Sequence, residues 1–152
     1  MYVATLCYLK RNGKTLMVKV NKANSINKGF WNGLGGKVEP NESPEECAIR
    51  EIYEESGLTA VNPELKGVIT FPDNNSTGNT WYVFVYMVRK FSGKLQPSPE
   101  GELHWIKDAE LKNLKRHQAD VHFQKWIDKN QIFSVKFNYA AEKLIDYQVK
   151  FY

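Results

Sequence analysis

Cysteine is scarce in this chain: 152 residues carry only Cys7 and Cys47. Two are too few for a disulfide framework, and neither sits in a metal-type pair, so free buried thiols in a reducing cytosol are expected. Long apolar runs are missing too. Nothing approaches the ~20 apolar residues of a membrane-crossing helix. The opening MYVATLCYLK has neither the basic start nor the long apolar stretch of a signal peptide. No charge sign dominates. A net charge of +4 would help attract polyphosphate anions, although a merely solvated basic surface accounts for it equally well. It is not the footprint of a nucleic-acid binder. Repeats, low-complexity tracts and linkers are absent. Of the three histidines, His104 and His122 show no metal-ligand spacing and read as surface residues of a strand and a helix. What remains is an ordinary globular composition, 42% hydrophobic and 25% charged, long enough for one domain with a real core. The 13% of aromatic residues fits strands and a pocket for a flat ligand.

Residues 2–9 (YVATLCYL) and 15–20 (TLMVKV) read as strands, joined through Asn12-Gly13, a hairpin turn pair. Residues 21–29 are polar and read as a loop. LKGVITF (65–71) is a strand running into the turn-rich loop PDNNSTGN (72–79). TWYVFVYMVRKF (80–91) reads as one long strand and ELHWIK (102–107) as a short one. DAELKNL (108–114) and ADVHFQKWIDK (119–129) read as short helices, the second amphipathic through Val121, Phe123, Trp126 and Ile127. FSVKFNY and KLIDYQVKFY alternate as a closing antiparallel pair. The expected fold is a single α+β domain over residues 1–152, a mixed sheet flanked by two or three helices.

The best-signalled helix lies within WNGLGGKVEPNESPEECAIREIYEESGL (31–58). Ser43 is a good N-cap, Pro44 suits the first helical position, and Glu46 completes a capping box. Gly57 suits the position just past the end. The helix is therefore expected over 44–56. On its wheel Glu55 falls about 40° to one side of Glu51 and Glu54 about 60° to the other. Three carboxylates thus share one face near a helix C-terminus, where the dipole favours cations and like charges four apart repel. Ile49, Ile52 and Tyr53 fall on the opposite side and are expected to dock on the sheet. A solvated acidic face is one reading. A hard divalent cation is the other, because it takes carboxylate and carbonyl oxygens, keeps waters and binds substrate phosphates. The preceding NGLGGK favours the second: Gly33, Gly35 and Gly36 permit close backbone approach beside the acids.

Gly36, five residues, Glu42, seven residues, then Arg50-Glu51-Ile52-Tyr53-Glu54-Glu55-Ser56-Gly57-Leu58 fills every defined position of a known pattern. The segment resembles the Nudix box, G-x5-E-x7-R-E-U-x-E-E-x-G-U. The resemblance implies a Nudix hydrolase, an α/β/α sandwich around a mixed sheet. Such an enzyme attacks a nucleoside diphosphate linked to another moiety, using water and a divalent metal, Mg²⁺ or else Mn²⁺. It implies Glu54 and Glu55 as metal ligands, Glu51 as ligand or base, and the Gly36 carbonyl as a further ligand. Arg50 would hold the catalytic glutamates, the alternative being a surface salt bridge. Glu42 would brace the loop against the helix.

Outside the box, FWNGLGGKVE and LIDYQVKFY are similar to the branch that hydrolyses oxidised purine nucleoside triphosphates, the 8-oxo-dGTP diphosphatases. That similarity implies Asn32 as a hydrogen-bonding partner of the purine, against the alternative of a turn residue before Gly33. It implies Asp120 as reader of the base's other edge, where an N-cap for a helix starting near Val121 is the alternative. Phe71 and Trp81 would line the base, or simply pack in the core. Glu100 would add a metal ligand or general base from a loop, with Glu102 as rival. Two positions depart from the mammalian-type pattern: His117 stands for a stacking tryptophan and Ala119 for a second acid. Both bear on the strictness of any 8-oxo-dGTP preference. The implied activity is release of a nucleoside monophosphate and pyrophosphate from a small-molecule nucleotide. Alternatives are a canonical nucleoside triphosphate, a nucleotide sugar or a dinucleoside polyphosphate as substrate. A non-catalytic regulatory module is disfavoured by the intact glutamates. RNA binding is disfavoured by the lack of a basic-aromatic stripe. Neither a stable nucleic-acid partner nor a membrane is expected, and monomer and homodimer stay open.

Overall fold

The computed structural model describes residues 1–73 and 78–152. Asn74 to Thr77 of the anticipated 72–79 loop lie outside the described residues. Strand β1 (Tyr2–Arg11) turns at Asn12-Gly13 into β2 (Lys14–Val20), and a polar loop leads to the two-residue β3 (Trp31–Asn32). Helix α1 (Pro44–Ser56) is followed by β4 (Thr59–Val61), β5 (Glu64–Phe71), β6 (Trp81–Val88), β7 (Lys90–Ser92) and β8 (Gly101–Lys107). A 3₁₀ segment (Asp108–Asn113), α2 (Gln118–Phe123), β9 (Phe133–Ala140) and β10 (Lys143–Phe151) complete the chain.

The main sheet runs β10-β9-β5-β6-β1-β2-β3, with β8 on β2. It is mixed: β1 lies parallel to β6 and β5 parallel to β9, and the other pairings are antiparallel. Alternation along β1 gives the sheet two apolar faces. Cys7 and Leu9 pack with Leu34, Ala48 and Ile52 under α1, whereas Tyr8 packs with Ile69, Val85, Phe123 and Phe137 under α2. This is the expected α+β sandwich.

The sheet opens between β1 and β2, which pair only at Lys10–Thr15 and Arg11–Lys14. Beyond that hairpin, residues 34–38 lie along β1 instead. Cys7 and Leu34 exchange N–H···O bonds of 2.6 and 3.0 Å, and the Thr5 N–H donates to the Gly36 carbonyl at 2.8 Å. A side chain at Gly35 would run into the Thr5 backbone, and one at Gly36 into the Glu51 carboxylate. Glycine is what lets this segment lie between β1 and α1.

Several sequence expectations change. On α1, Ile49 is 36% exposed and Tyr53 60%, and neither docks on the sheet. The buried face instead comprises Cys47, Ala48, Ile52, Glu55 and Ser56. Ala48 and Ile52 sit about 60° and 100° from Glu51 on Glu55's side of the wheel. The docking face therefore flanks the acids rather than opposing them, because the glycine-thin segment beneath leaves room for carboxylates. The long 80–91 strand breaks at Arg89, and its end turns away as β7 to pair with β4. Helix 119–129 is really Gln118–Phe123. Val121 is exposed, and Phe123 and Ile127 reach the core from a helix and a following turn. Asp120 is accordingly inside α2 and is not its N-cap; that place belongs to His117. Asn32 is not a turn residue either, since it pairs with Val18 in β3.

Candidate active site

Helix α1 forms as its signals require. The Ser43 hydroxyl accepts the Glu46 N–H at 3.1 Å, the Glu46 carboxylate accepts the Ser43 N–H at 2.7 Å, and Gly57 closes the helix with φ of 77°. This fixes the phase of its last two turns, and hence of Arg50, Glu51, Glu54 and Glu55.

Arg50 organises that face. Its Nε and Nη2 donate to the two carboxylate oxygens of Glu42 at 2.6 and 3.0 Å. Its Nη1 reaches Glu51 at 2.9 Å and Glu54 at 3.2 Å, and Nη2 also donates to the Lys37 carbonyl at 3.1 Å. A fork shared among three carboxylates and a carbonyl is more than an isolated surface pair. The Arg50 guanidinium holds the Glu42 carboxyl down at about 2, and Glu42 in turn accepts the Glu39 N–H at 2.9 Å. Glu42 thus ties the loop to the helix.

Glu55 is the unusual acid. It is 9% exposed, and its Oε2 accepts the Gly35 N–H at 2.9 Å. Burial pushes its carboxyl up to about 8, helped by the charges of Glu51, Glu100 and Glu54 and opposed by the Gly35 bond. Burial also raises Glu51, against the pull of Arg50. Glu54 is exposed beside Arg50. Glu100 is paired with Lys22 at 3.0 Å.

One cleft of about 1210 Å³ lies where β1 and β2 part. Gly36, Glu51, Glu55 and Glu100 line it, and so do Asn32, Phe71, Trp81, His117 and Asp120. Arg50 and Glu54 stand outside the lining, and the rival Glu102 is exposed on β8. Two groups of charges share the cleft. Around Glu55 the acids feel one another, whereas Asp120 is buried at 7% exposure with Arg116 as its charged neighbour. Burial pushes the Asp120 carboxyl up to about 7, and Arg116 draws it down. His117 stacks on Phe30 at 4.7 Å with the planes 16° apart, and burial lowers its pKa, so the imidazole is neutral at pH 7. Phe71 packs on Phe137 and Tyr139. Trp81 packs on Tyr2, with the Lys37 ammonium over both rings. Of the two other histidines, His104 is exposed on β8, while His122 packs on Tyr147 rather than lying free on the surface.

Sequence reasoning missed Arg116, Tyr139 and the part played by Phe30. Arg116 adjoins His117 and was within reach of a closer reading of RHQAD. Tyr139 carried no local signal. It reaches α2 from β9, where its hydroxyl oxygen accepts the Ala119 N–H at 3.0 Å.

Among the described residues no three His, Cys, Asp or Glu side chains already converge at metal-holding distance. The donor set nevertheless fits a hard cation. Four carboxylates gather on one helix face and its neighbouring loop, and one of them is buried at the expense of its charge. Arg50 currently draws Glu51 and Glu54 into ion pairs.

Comparison with known proteins agrees with this architecture. The chain is 31% identical over 150 residues to the Nudix hydrolase YvcI of Bacillus subtilis, covering 95% of this chain and 92% of that one. It is 30% identical to the CTP pyrophosphohydrolase of Escherichia coli over 74% of this chain and 81% of the relative. To the oxidized purine nucleoside triphosphate hydrolase of Danio rerio it is 33% identical over 67% of this chain and 64% of the relative. The crystal structure of a mutator MutT protein from Bacillus halodurans superposes with a TM-score of 0.85 at 28% identity, covering 98% and 97% of the two chains. The NUDIX domain model matches residues 2–129, a stretch that holds α1, its glutamates and all of the cleft lining except Tyr139 and Glu142. The chain belongs to the Nudix family of hydrolases, which act on pyrophosphate bonds.

Proposed function

We propose that the protein is a divalent-metal-dependent nucleoside triphosphate pyrophosphohydrolase that acts on purine nucleotides, oxidised purines such as 8-oxo-dGTP among them. The observation that carries this reading is the pairing, in one cleft, of a carboxylate group around Glu55 with a separate aromatic and polar group around Asp120. The first suits a cation and a phosphate chain, the second a flat base.

Glu51, Glu54, Glu55 and Glu100, with the Gly36 carbonyl, would hold the metal, Mg²⁺ or Mn²⁺. Bound there, the cation supplies neutralisation of phosphate charge and activation of the attacking water. The protein's own part is to position. Arg50 keeps Glu51 and Glu54 aimed along one face, and Glu42 anchors Arg50 to the loop. Glu100, beside the buried acids and partly exposed, suits proton removal from the water. At the other group, the Asn32 amide both donates and accepts toward a base edge. Phe71, Trp81 and the His117–Phe30 stack supply apolar faces. Cleavage would give a nucleoside monophosphate and pyrophosphate. We place the work in the cytoplasm, which suits two unpaired buried thiols, and take residues 1–152 as one domain.

A cytidine nucleotide is the second substrate reading. It is favoured by the 30% identity to the Escherichia coli CTP pyrophosphohydrolase and by His117 and Ala119 offering less stacking surface and one acid fewer. Pyrophosphate release with Mg²⁺ separates the two. Measured on 8-oxo-dGTP, dGTP, dATP, CTP, a nucleotide sugar and a dinucleoside polyphosphate, kcat/KM should be highest for an oxidised or unmodified purine triphosphate. A preference for CTP selects the second reading. A nucleotide sugar or dinucleoside polyphosphate as best substrate discards both.

A further inference from the structure

Four buried side-chain polar atoms lack a hydrogen-bond partner among the described residues: the Tyr8 hydroxyl, Arg116 Nε and both amide atoms of Gln124. Protein interiors leave few such atoms unpaired, and each one calls for an explanation. These four gather around Asp120. Tyr8 lies within electrostatic reach of both Asp120 and Arg116. Gln124 is one helical turn on, its N–H donating to the Asp120 carbonyl at 3.1 Å, and it is 8% exposed. Arg116 and Asp120 both line the cleft. They are close enough to feel each other, yet they form no ion pair. A half-buried arginine whose Nε has no partner keeps that donor for something else. The Tyr139 hydroxyl oxygen takes the Ala119 N–H, which leaves its own hydrogen free to donate.

This end of the cleft therefore presents a planar cationic donor beside a carboxylate acceptor. A ligand that satisfies both carries an acceptor next to a donor. We propose that Arg116 is a specificity-determining residue: with Asp120 it selects bases presenting a ring carbonyl next to a ring N–H, the lactam edge of guanine, hypoxanthine and their oxidised forms. The inference rests on the nucleotide reading above and narrows it. The guanidinium donates to the carbonyl oxygen and the carboxylate accepts from the ring N–H. Adenine and cytosine present the reverse, an amino group next to a bare ring nitrogen. Against them the guanidinium would face N–H donors and the carboxylate a lone pair. A site built of buried hydrogen-bonding groups rejects a mismatched partner strongly, because its own groups are then left unpaired.

The test compares kcat/KM with Mg²⁺ for dGTP, dITP and 8-oxo-dGTP against dATP and dCTP, in the wild type and in Arg116→Gln and Arg116→Lys. The wild type should favour the lactam bases by about 10-fold or more. Arg116→Gln should cut that ratio by about 10-fold or more, by a fall on the lactam bases, a rise on dATP and dCTP, or both. Arg116→Lys, which keeps the charge but loses the planar fork, should keep only part of the ratio. Thermal melting confirms that each variant folds, and if Arg116→Gln does not, Arg116→Lys carries the comparison. A wild type without lactam preference overturns the inference. So does an equal fall on every nucleotide, which would make Arg116 a phosphate-binding or structural cation. If no triphosphate is hydrolysed at all, the proposed function fails first. Thermal shifts with dGMP and dIMP against dAMP and dCMP then decide: an Arg116-dependent preference sustains the base reading, and equal shifts end it.

Discussion

Glu55 is the residue whose environment most departs from its chemistry. A carboxyl raised from 4.5 to about 8 in the folded chain binds more protons than in the unfolded chain between those pH values. The metal-free protein therefore loses stability as pH rises from about 4.5 to 8, by up to roughly 5 kcal/mol from this group. Glu55→Gln keeps an acceptor for the Gly35 N–H and abolishes the charge. The variant should melt higher than wild type at pH 8 without metal, melt alike near pH 4, and hydrolyse nothing. A wild-type melting temperature that does not fall over that range, or a Gln variant no more stable at pH 8, would refute this account. Glu54 makes the complementary case. It is exposed and, among the described residues, bonded only through Arg50, so Glu54→Gln should leave the melting temperature nearly unchanged and reduce kcat by orders of magnitude. Retained turnover would remove Glu54 from the metal set. The three glutamates were legible from their spacing on a helix wheel. Their unequal burial was not, because a wheel gives angles and not the surface that the helix meets.

At the scale of the element, α1 is a helix whose start is written in its sequence. Ser43, Pro44 and Glu46 predict its N-terminus and Gly57 its end, and the observed span, Pro44–Ser56, agrees. Ser43→Ala should cost about 1 kcal/mol of stability, read as a denaturant midpoint shift. It should leave the ranking of substrates as it was, because the cap lies two turns from the acids. A changed substrate ranking would show that the cap tunes the site directly. Helix α2 teaches the opposite lesson. The 119–129 pattern suggested an amphipathic helix, but the chain leaves helical geometry after Phe123 and still buries Ile127. A tight turn and a continuing helix place apolar residues at similar short spacings. Periodicity over so few residues does not separate them. The start near Val121 failed for a related reason: Asp120 resembles a cap in sequence, while Tyr139 fixes the first turn from outside by accepting the Ala119 N–H.

For the whole molecule, the pairing of β9 to β5 is decisive. The last two strands follow the matched residues 2–129 yet belong to the same sheet, and Phe133, Val135 and Phe137 are in the core with Tyr8 and Phe123. The full chain should therefore unfold in urea as one transition, with tryptophan fluorescence and far-ultraviolet circular dichroism giving the same midpoint. Two separated transitions would mean that the C-terminal hairpin is an independent unit. The cleft too is a property of the whole sheet. It exists because β1 parts from β2 after one hairpin and takes residues 34–38 as its neighbour.

By itself the sequence determined the α+β class, most strand positions, helix α1 with its caps, and the Gly36-to-Leu58 pattern with its carboxylates. These follow from short-range physics: alternation, capping, glycine freedom and like charges placed close together along one helix. Tertiary structure alone decided which glutamate is buried and that Tyr139 stands beside Asp120. Each of those depends on strands distant in sequence arriving at one place. Burial is set by those arrivals and not by neighbours along the chain.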